Sequence, residues 1–175
     1  MYKRQGFNKV SITSEGTVKK EHPAIYFDFN AVAKGYGIDC IGRYLEAEGI
    51  KDYLIELGGE VLANGENRSK GKIWTAGVEA VDSDLEDRRS TVVVQLKNQA
   101  MAGSGNYRKF RVDTITGKKY VHTINPLTGL AFENDITSAT VLAPTCGLAD
   151  AYATACMALG ICLLYTSDAA DTPYV

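Results

Sequence analysis

Leu148-Ala149-Asp150-Ala151-Tyr152-Ala153-Thr154-Ala155-Cys156-Met157-Ala158-Leu159-Gly160 reads as a helix carrying one carboxylate among small and apolar side chains. Leu148, Ala151, Tyr152, Ala155 and Leu159 recur at helical spacing and predict a core stripe, and Gly160 is placed to stop the helix. Asp150 and Thr154 stand one turn apart on another face, which holds no lysine or arginine and is otherwise filled by Ala153 and Met157. A helix apolar nearly all round is expected to be buried. A buried, unpaired carboxylate costs several kcal/mol, so a cation is the economical partner for Asp150. The alternative is that Asp150 only favours the positive end of its own helix while Thr154 bonds back to the backbone.

Earlier in the chain, Phe27-Asp28-Phe29-Asn30-Ala31-Val32-Ala33-Lys34-Gly35-Tyr36-Gly37-Ile38-Asp39 puts an acid at the end of an apolar run and a lysine in the first turn of a following helix. Asn30 is a candidate N-cap, and Ala33, Gly37, Cys40, Ile41, Tyr44 and Leu45 predict the apolar face of a helix that ends near Gly49. A lysine in a first turn opposes the helix dipole unless an anion is near, so Lys34 is placed for a phosphate. The competing reading is a solvated lysine whose stem covers the core. Leu54 to Val61 runs a strand into Gly58-Gly59 and out into another strand, which suits a tight turn and also lets backbone approach a ligand closely. Tyr120 to Gly129 places His122 on a strand just before Asn-Pro and Thr-Gly turn chemistry. An imidazole there serves as a base near neutrality or as an ordinary hydrogen-bonding group.

The remaining periodicities predict strands at Val10 to Ile12, Ile25 to Phe27, Tyr53 to Leu57, Val61 to Ala63, Ile73 to Glu79 and Thr91 to Leu96. Further strands are expected at Ala100 to Ala102, Tyr107 to Val112, Tyr120 to Ile124 and Ser138 to Ala143, with a turn at Thr116-Gly117 and a charged loop from Val81 to Arg89. Hairpin-length links outnumber helical crossovers, so the fold class is α+β with a mostly antiparallel sheet packed against helices.

At 175 residues, with 45% hydrophobic and 23% charged side chains, the chain is in the single-domain range and can bury a core. A net charge of -2 leaves no basic footprint for nucleic acid. No apolar run is long enough to span a membrane. Cys40, Cys146, Cys156 and Cys162 lack metal-ligand spacing, and the first three fall on or beside helical core positions, so buried free thiols are expected. Residues 1–5 and the run after Cys162, 163–175, resemble translated sequencing-adapter read-through. After Gly160 the apolar period stops, and the fold is expected to occupy residues 6–162.

The motifs together carry a resemblance. Asp28 to Tyr36, then Glu56-Leu57-Gly58-Gly59-Glu60, then Ser104-Gly105-Asn106-Tyr107-Arg108, then His122 to Gly129, then Ala149 to Ala155 follow one another in an order and spacing similar to the FAD:protein FMN transferases, the ApbE family. One departure is Asn125, where many members carry an aspartate before the proline. Family members are typically about twice this length, so an N-terminal part of a T-fold-related flavin transferase domain is expected to be absent, and many members are exported or lipid-anchored.

The resemblance implies Mg²⁺-dependent transfer of FMN from FAD to a threonine of an acceptor protein, with release of AMP. It implies Asp150 and Thr154 as metal ligands, completed by the backbone carbonyls of Ala31 and Ala153. It assigns Asp28 and Lys34 to FAD, lets Gly58 and Gly59 line the flavin pocket, and makes His122 the base for the attacking hydroxyl. The same site with water as nucleophile would be a FAD pyrophosphatase yielding FMN and AMP, and a third reading is an inactive flavin-binding or structural fragment.

Overall fold

Alternation along the central strands sorts their side chains onto two faces, and each face seeds its own core. The computed structural model describes residues 4, 6–83, 89–106, 110–125, 129–131 and 135–160. Its centre is a four-stranded antiparallel sheet made of β3 (Tyr53–Leu57), β4 (Glu60–Asn64), β8 (Gln99–Gly105) and β11 (Ser138–Ala143), in the order β11-β8-β4-β3. Ala100 and Ala102 of β8 and Ala143 of β11 join Ile38, Cys146 and Ala149 in one core, with Ile55 and Leu62 packed against it. Val61 and Ala63 of β4 and Met101 of β8 turn the other way, toward Leu96, Trp74, Ala76, Val78 and Val94. The first core lies under two helices, α1 (Ala33–Ala47) and α2 (Cys146–Leu159). The second lies under an antiparallel hairpin of β6 (Lys72–Glu79) and β7 (Ser90–Leu96), with a register shift between Val78 and Glu79.

This is the expected α+β class in three layers: helices, sheet, hairpin. Strand β5 (Glu66–Asn67) extends the hairpin edge, while β1 (Val10–Ile12) pairs β2 (Val18–Lys20) and β9 (Phe110–Val112) pairs β10 (Lys119–Val121) as small separate ribbons. The expected strand at Ile25 to Phe27 is not formed. Val10 to Ile12 instead turns back through Gly16, at φ 76°, onto Val18–Lys20, and the Ile25 carbonyl accepts from Lys20 Nζ at 2.9 Å. Part of the expected Tyr107 strand, part of the Val81 loop and the tail beyond Gly160 lie outside the described residues, as do residues 1–3 and 5.

Both helices form where expected, but each turns a different face inward. Helix α2 buries Cys146, Ala149, Asp150, Ala153, Cys156 and Met157, and leaves Leu148 and Tyr152 substantially exposed. Helix α1 buries Gly35, Ile38, Asp39 and Gly42, and exposes Ala33, Cys40, Ile41 and Tyr44. The physical reason is proximity. A Cβ at Gly35 would fall 2.4 Å from the Cys146 carbonyl oxygen and 2.8 Å from Gly147 Cα, and one at Gly42 would meet Leu62 at 2.8 Å. Backbone approach to α2 at Gly35 and to β4 at Gly42 leaves no room for a side chain at either position, so glycine marks the inner face there, whereas bulk alone predicts another face. Cys40 is therefore exposed; Cys146 and Cys156 are free buried thiols, as expected.

The close approach makes two neighbouring glycines behave oppositely. Gly35→Ala should destabilise the protein by roughly 1–3 kcal/mol or more, because backbone cannot yield. Gly37→Ala meets nothing within 4 Å and should be neutral or stabilising by about 0.5–1 kcal/mol. Urea unfolding of the two variants checks the contrast.

Candidate functional site

The two helices begin at one place, and each sends a carboxylate to the other's N-terminus. The Gly35 N–H, in the first turn of α1, donates to Asp150 Oδ2 at 3.0 Å. Asp39, one turn further along α1, accepts from the Cys146 N–H at 2.8 Å and the Gly147 N–H at 2.9 Å in the first turn of α2. The orphan amides that open a helix need such acceptors, and the positive helix ends favour negative charge. Thr145 caps α2 through its own side chain, accepting from the Leu148 N–H at 3.3 Å. Asn30, the expected cap of α1, does not cap it: the helix begins after Val32, and Asn30 instead donates to Asp28. Asp150 is 3% exposed, as a buried acid should be. It is not unpaired, however, because a peptide N–H of α1 meets one of its oxygens, a partner that lies 115 residues away in sequence.

Lys34 stands beside Gly35 at this junction, and its ammonium lies 2.5 Å from Glu60 Oε2. Glu60 opens β4 and is 1% exposed. Burial pushes its carboxyl pKa up, Asp150 adds to the rise, and the Lys34 contact opposes it without prevailing. Cys146 lies amid the same groups; burial, then Asp39, Glu60 and Asp150, raise its thiol to about 12, so it is no nucleophile near neutrality. The turn before Glu60 takes Gly58 to φ 62° and Gly59 to φ 105°, conformations that side chains disfavour.

On α2, Thr154 lies one turn beyond Asp150 and its hydroxyl is 3.3 Å from Ser104 Oγ of β8. Two residues on, buried Asn106 takes a hydrogen bond from Thr123 Oγ1 at 3.3 Å, which ties the residue after His122 to the same strand end. His122 itself is exposed at the end of β10. Ala153 is fully buried and Ala31 half-buried in the turn that leads into α1. Asp28 is exposed and directs both carboxylate oxygens to Asn30, shaping that turn. A groove of about 500 Å³ between the sheet and the β6–β7 hairpin is lined by Glu56, Gly58, Gly59, Ser104 and Arg89 among others, so it reaches both the glycine turn and the Ser104–Thr154 contact.

Three residues of this arrangement have no local signal in the sequence: Glu60, Asp39 and Ser104. Glu60 and Ser104 lie within the Glu56–Glu60 and Ser104–Arg108 motifs, but pairing over 26 and 50 residues leaves no periodic trace. Among the described residues no group of three His, Cys, Asp or Glu side chains is arranged to hold a metal. The donors around Asp150 are nonetheless hard oxygens: its carboxylate and the hydroxyls of Thr154 and Ser104. Three buried carboxylates, Asp39, Asp150 and Glu60, share this junction with one lysine and the N-termini of both helices. That combination fits Mg²⁺, which takes one or two carboxylates and fills the rest of its shell with water and phosphate.

Comparison with known proteins bears on this arrangement. The ApbE family model matches residues 1–164. A FAD:protein FMN transferase of Haemophilus influenzae is 35% identical over 158 residues, covering 89% of this chain and 44% of the relative. One of Vibrio cholerae is 37% identical over 150 residues, covering 85% and 43%. Among solved structures, flavin transferase ApbE from Vibrio cholerae aligns with TM-score 0.75 and 33% identity, covering 91% of this chain and 48% of that one. The apo form of Pseudomonas stutzeri flavinyl transferase ApbE aligns with TM-score 0.75 and 30% identity, covering 91% and 47%. The chain spans less than half the length of the curated relatives it matches.

The raised Glu60 carboxyl carries a sign for stability. Between its ordinary value of 4.5 and its higher folded value, the folded state holds the proton and the unfolded state does not. Stability therefore falls as pH rises through that window. Urea unfolding as a function of pH should show this fall, and Glu60→Gln should flatten it.

Proposed function

The chain belongs to the ApbE family, and from that premise we propose that it carries the metal- and phosphate-binding portion of a Mg²⁺-dependent FAD:protein FMN transferase. The observation that supports this most is the Gly35–Asp150 contact: it joins the two α-helices of the described residues beside Lys34, with the Ser104–Thr154 hydroxyls one turn further along α2.

In this reading Asp150 and Thr154 hold Mg²⁺ with the carbonyls of Ala31 and Ala153. When bound, the ion would neutralise phosphate oxygens and ease cleavage of the phosphorus–oxygen bond. Lys34 answers the charge of the FAD pyrophosphate, and Asp28, at the entrance to α1, contacts the same substrate. Gly58 and Gly59, which present backbone and no side chain to the groove, let the flavin lie close. His122 takes the proton from the threonine hydroxyl of an acceptor protein. The hydroxyl oxygen bonds to the FMN phosphorus, the pyrophosphate bond to the adenylate breaks, and AMP leaves. The tie from Thr123 through Asn106 toward Ser104 supports a base on the same side as the metal ligands.

The chain incubated with FAD, Mg²⁺ and a threonine-bearing acceptor should add the mass of FMN to the acceptor and release AMP in equal amount. Free FMN with an unmodified acceptor would mean that water is the nucleophile, and no AMP at all would overturn the reading. Asp150→Asn keeps an acceptor for the Gly35 amide but removes the charge, and should lower metal-dependent AMP release by roughly 100-fold or more. His122→Ala should lower FMN transfer while leaving FAD affinity near normal, with the pH–rate profile losing its acidic limb.

A further inference from the structure

Glu60 is a carboxylate that the fold has no mechanical need to bury. It is the first residue of β4, paired with Leu57 across the Gly58–Gly59 turn. Its side chain is 2% exposed, whereas that of its partner Lys34 is 47% exposed. Removing a carboxylate from water is rarely recovered by one ion pair, and an apolar replacement of similar size is often as stable or more so. What the pair does provide is restraint. A lysine stem free in solvent samples many rotamers, and an ionic anchor at its tip removes most of that freedom.

The anchor also sets direction. A Cβ at Gly58 would lie 3.9 Å from Lys34 Cδ and 4.0 Å from Glu60 Oε2, so the turn rests against both partners. Gly58 and Gly59 line the groove between the sheet and the β6–β7 hairpin. The ammonium is therefore held from below by a buried acid and sits beside the glycine rim of the groove, half open to solvent.

We infer that Glu60 is a positioning residue that holds the Lys34 ammonium at the groove rim for the phosphates of a diphosphate-bearing ligand. This rests on the proposed FAD reading. Glu60 touches no ligand atom and acts only through Lys34, so its effect should be confined to ligands with phosphates and should vanish when Lys34 is gone.

The test compares FAD and riboflavin binding, in the presence of Mg²⁺, to the chain and to Glu60→Gln, Lys34→Met, the double variant and Glu60→Asp, with a thermal melt of each. Glu60→Gln should weaken FAD binding by about tenfold and leave riboflavin binding unchanged. In the Lys34→Met background the same change should have no further effect on FAD, because the pair acts as a unit. Glu60→Asp, which keeps the charge, should restore part of the lost affinity. Equal losses for FAD and riboflavin, or additive losses in the double variant, would overturn the inference and make Glu60 merely structural. If Glu60→Gln does not fold, Glu60→Asp decides against the unsubstituted chain: a loss selective for FAD supports the inference and a uniform change overturns it. An unsubstituted chain that binds neither flavin would bring down the FAD reading and this inference together, whereas an unsubstituted chain that binds FAD with unaltered affinity in Glu60→Gln would bring down the inference alone.

Discussion

Two helices meet by their N-termini, and each answers the other's unpaired amides with a buried carboxylate. Such a meeting is unfavourable in itself, since it brings two positive dipole ends together and buries peptide N–H groups without partners. Asp39 from α1 and Asp150 from α2 remove both objections at once. The arrangement is nearly symmetric: in each helix a first-turn position that tolerates close approach, Gly35 or Gly147, is followed one turn later by the acid that serves the partner. Neither aspartate is explained by its own helix.

That junction governs the rest of the site. Close packing at Gly35 brings Lys34 to the start of β4, where Glu60 meets it. Alternation on β8 then sends Ser104 toward α2 and Thr154, while Met101 faces the hairpin core on the opposite side. A slip of one residue in β8 would exchange those faces and dismantle the hydroxyl pair. The same sheet thus carries a packed core on each face and delivers polar groups only at its ends, where solvent and a ligand can reach them.

Much of the fold was legible in the sequence because turn residues such as Gly58-Gly59 and Pro144 punctuate its apolar strands. Tyr53–Leu57 and Ser138–Ala143 have the bounds that their patterns predict, and Gly160, at φ 77°, ends α2 where expected. The helix faces were misread for one reason. Bulky residues usually mark the inner face, yet here Gly35, Gly42, Ala149 and Ala153 lie inward with Ile38 and Met157, because close approach at Gly35 and Gly42 leaves no room for a side chain there. Of the candidate site, the isolation of Asp150 and the odd placement of Lys34 in a first turn were visible locally. Their partners, Gly35 and Glu60, were not, since contacts across 115 and 26 residues are set by tertiary packing and not by any period in the chain.

Exchanged carboxylates at the helix junction hold the site together, and Asp39 is the direct test because it has no role toward a ligand in the proposed reading. Asp39→Ala leaves the Cys146 and Gly147 amides without their acceptor. Unfolding in urea should show a loss of about 2–4 kcal/mol, and FAD affinity should fall with it as Asp150 and Lys34 lose their registration. Unchanged stability together with unchanged FAD affinity would contradict the account, because the junction would then be a by-product of packing and not its cause.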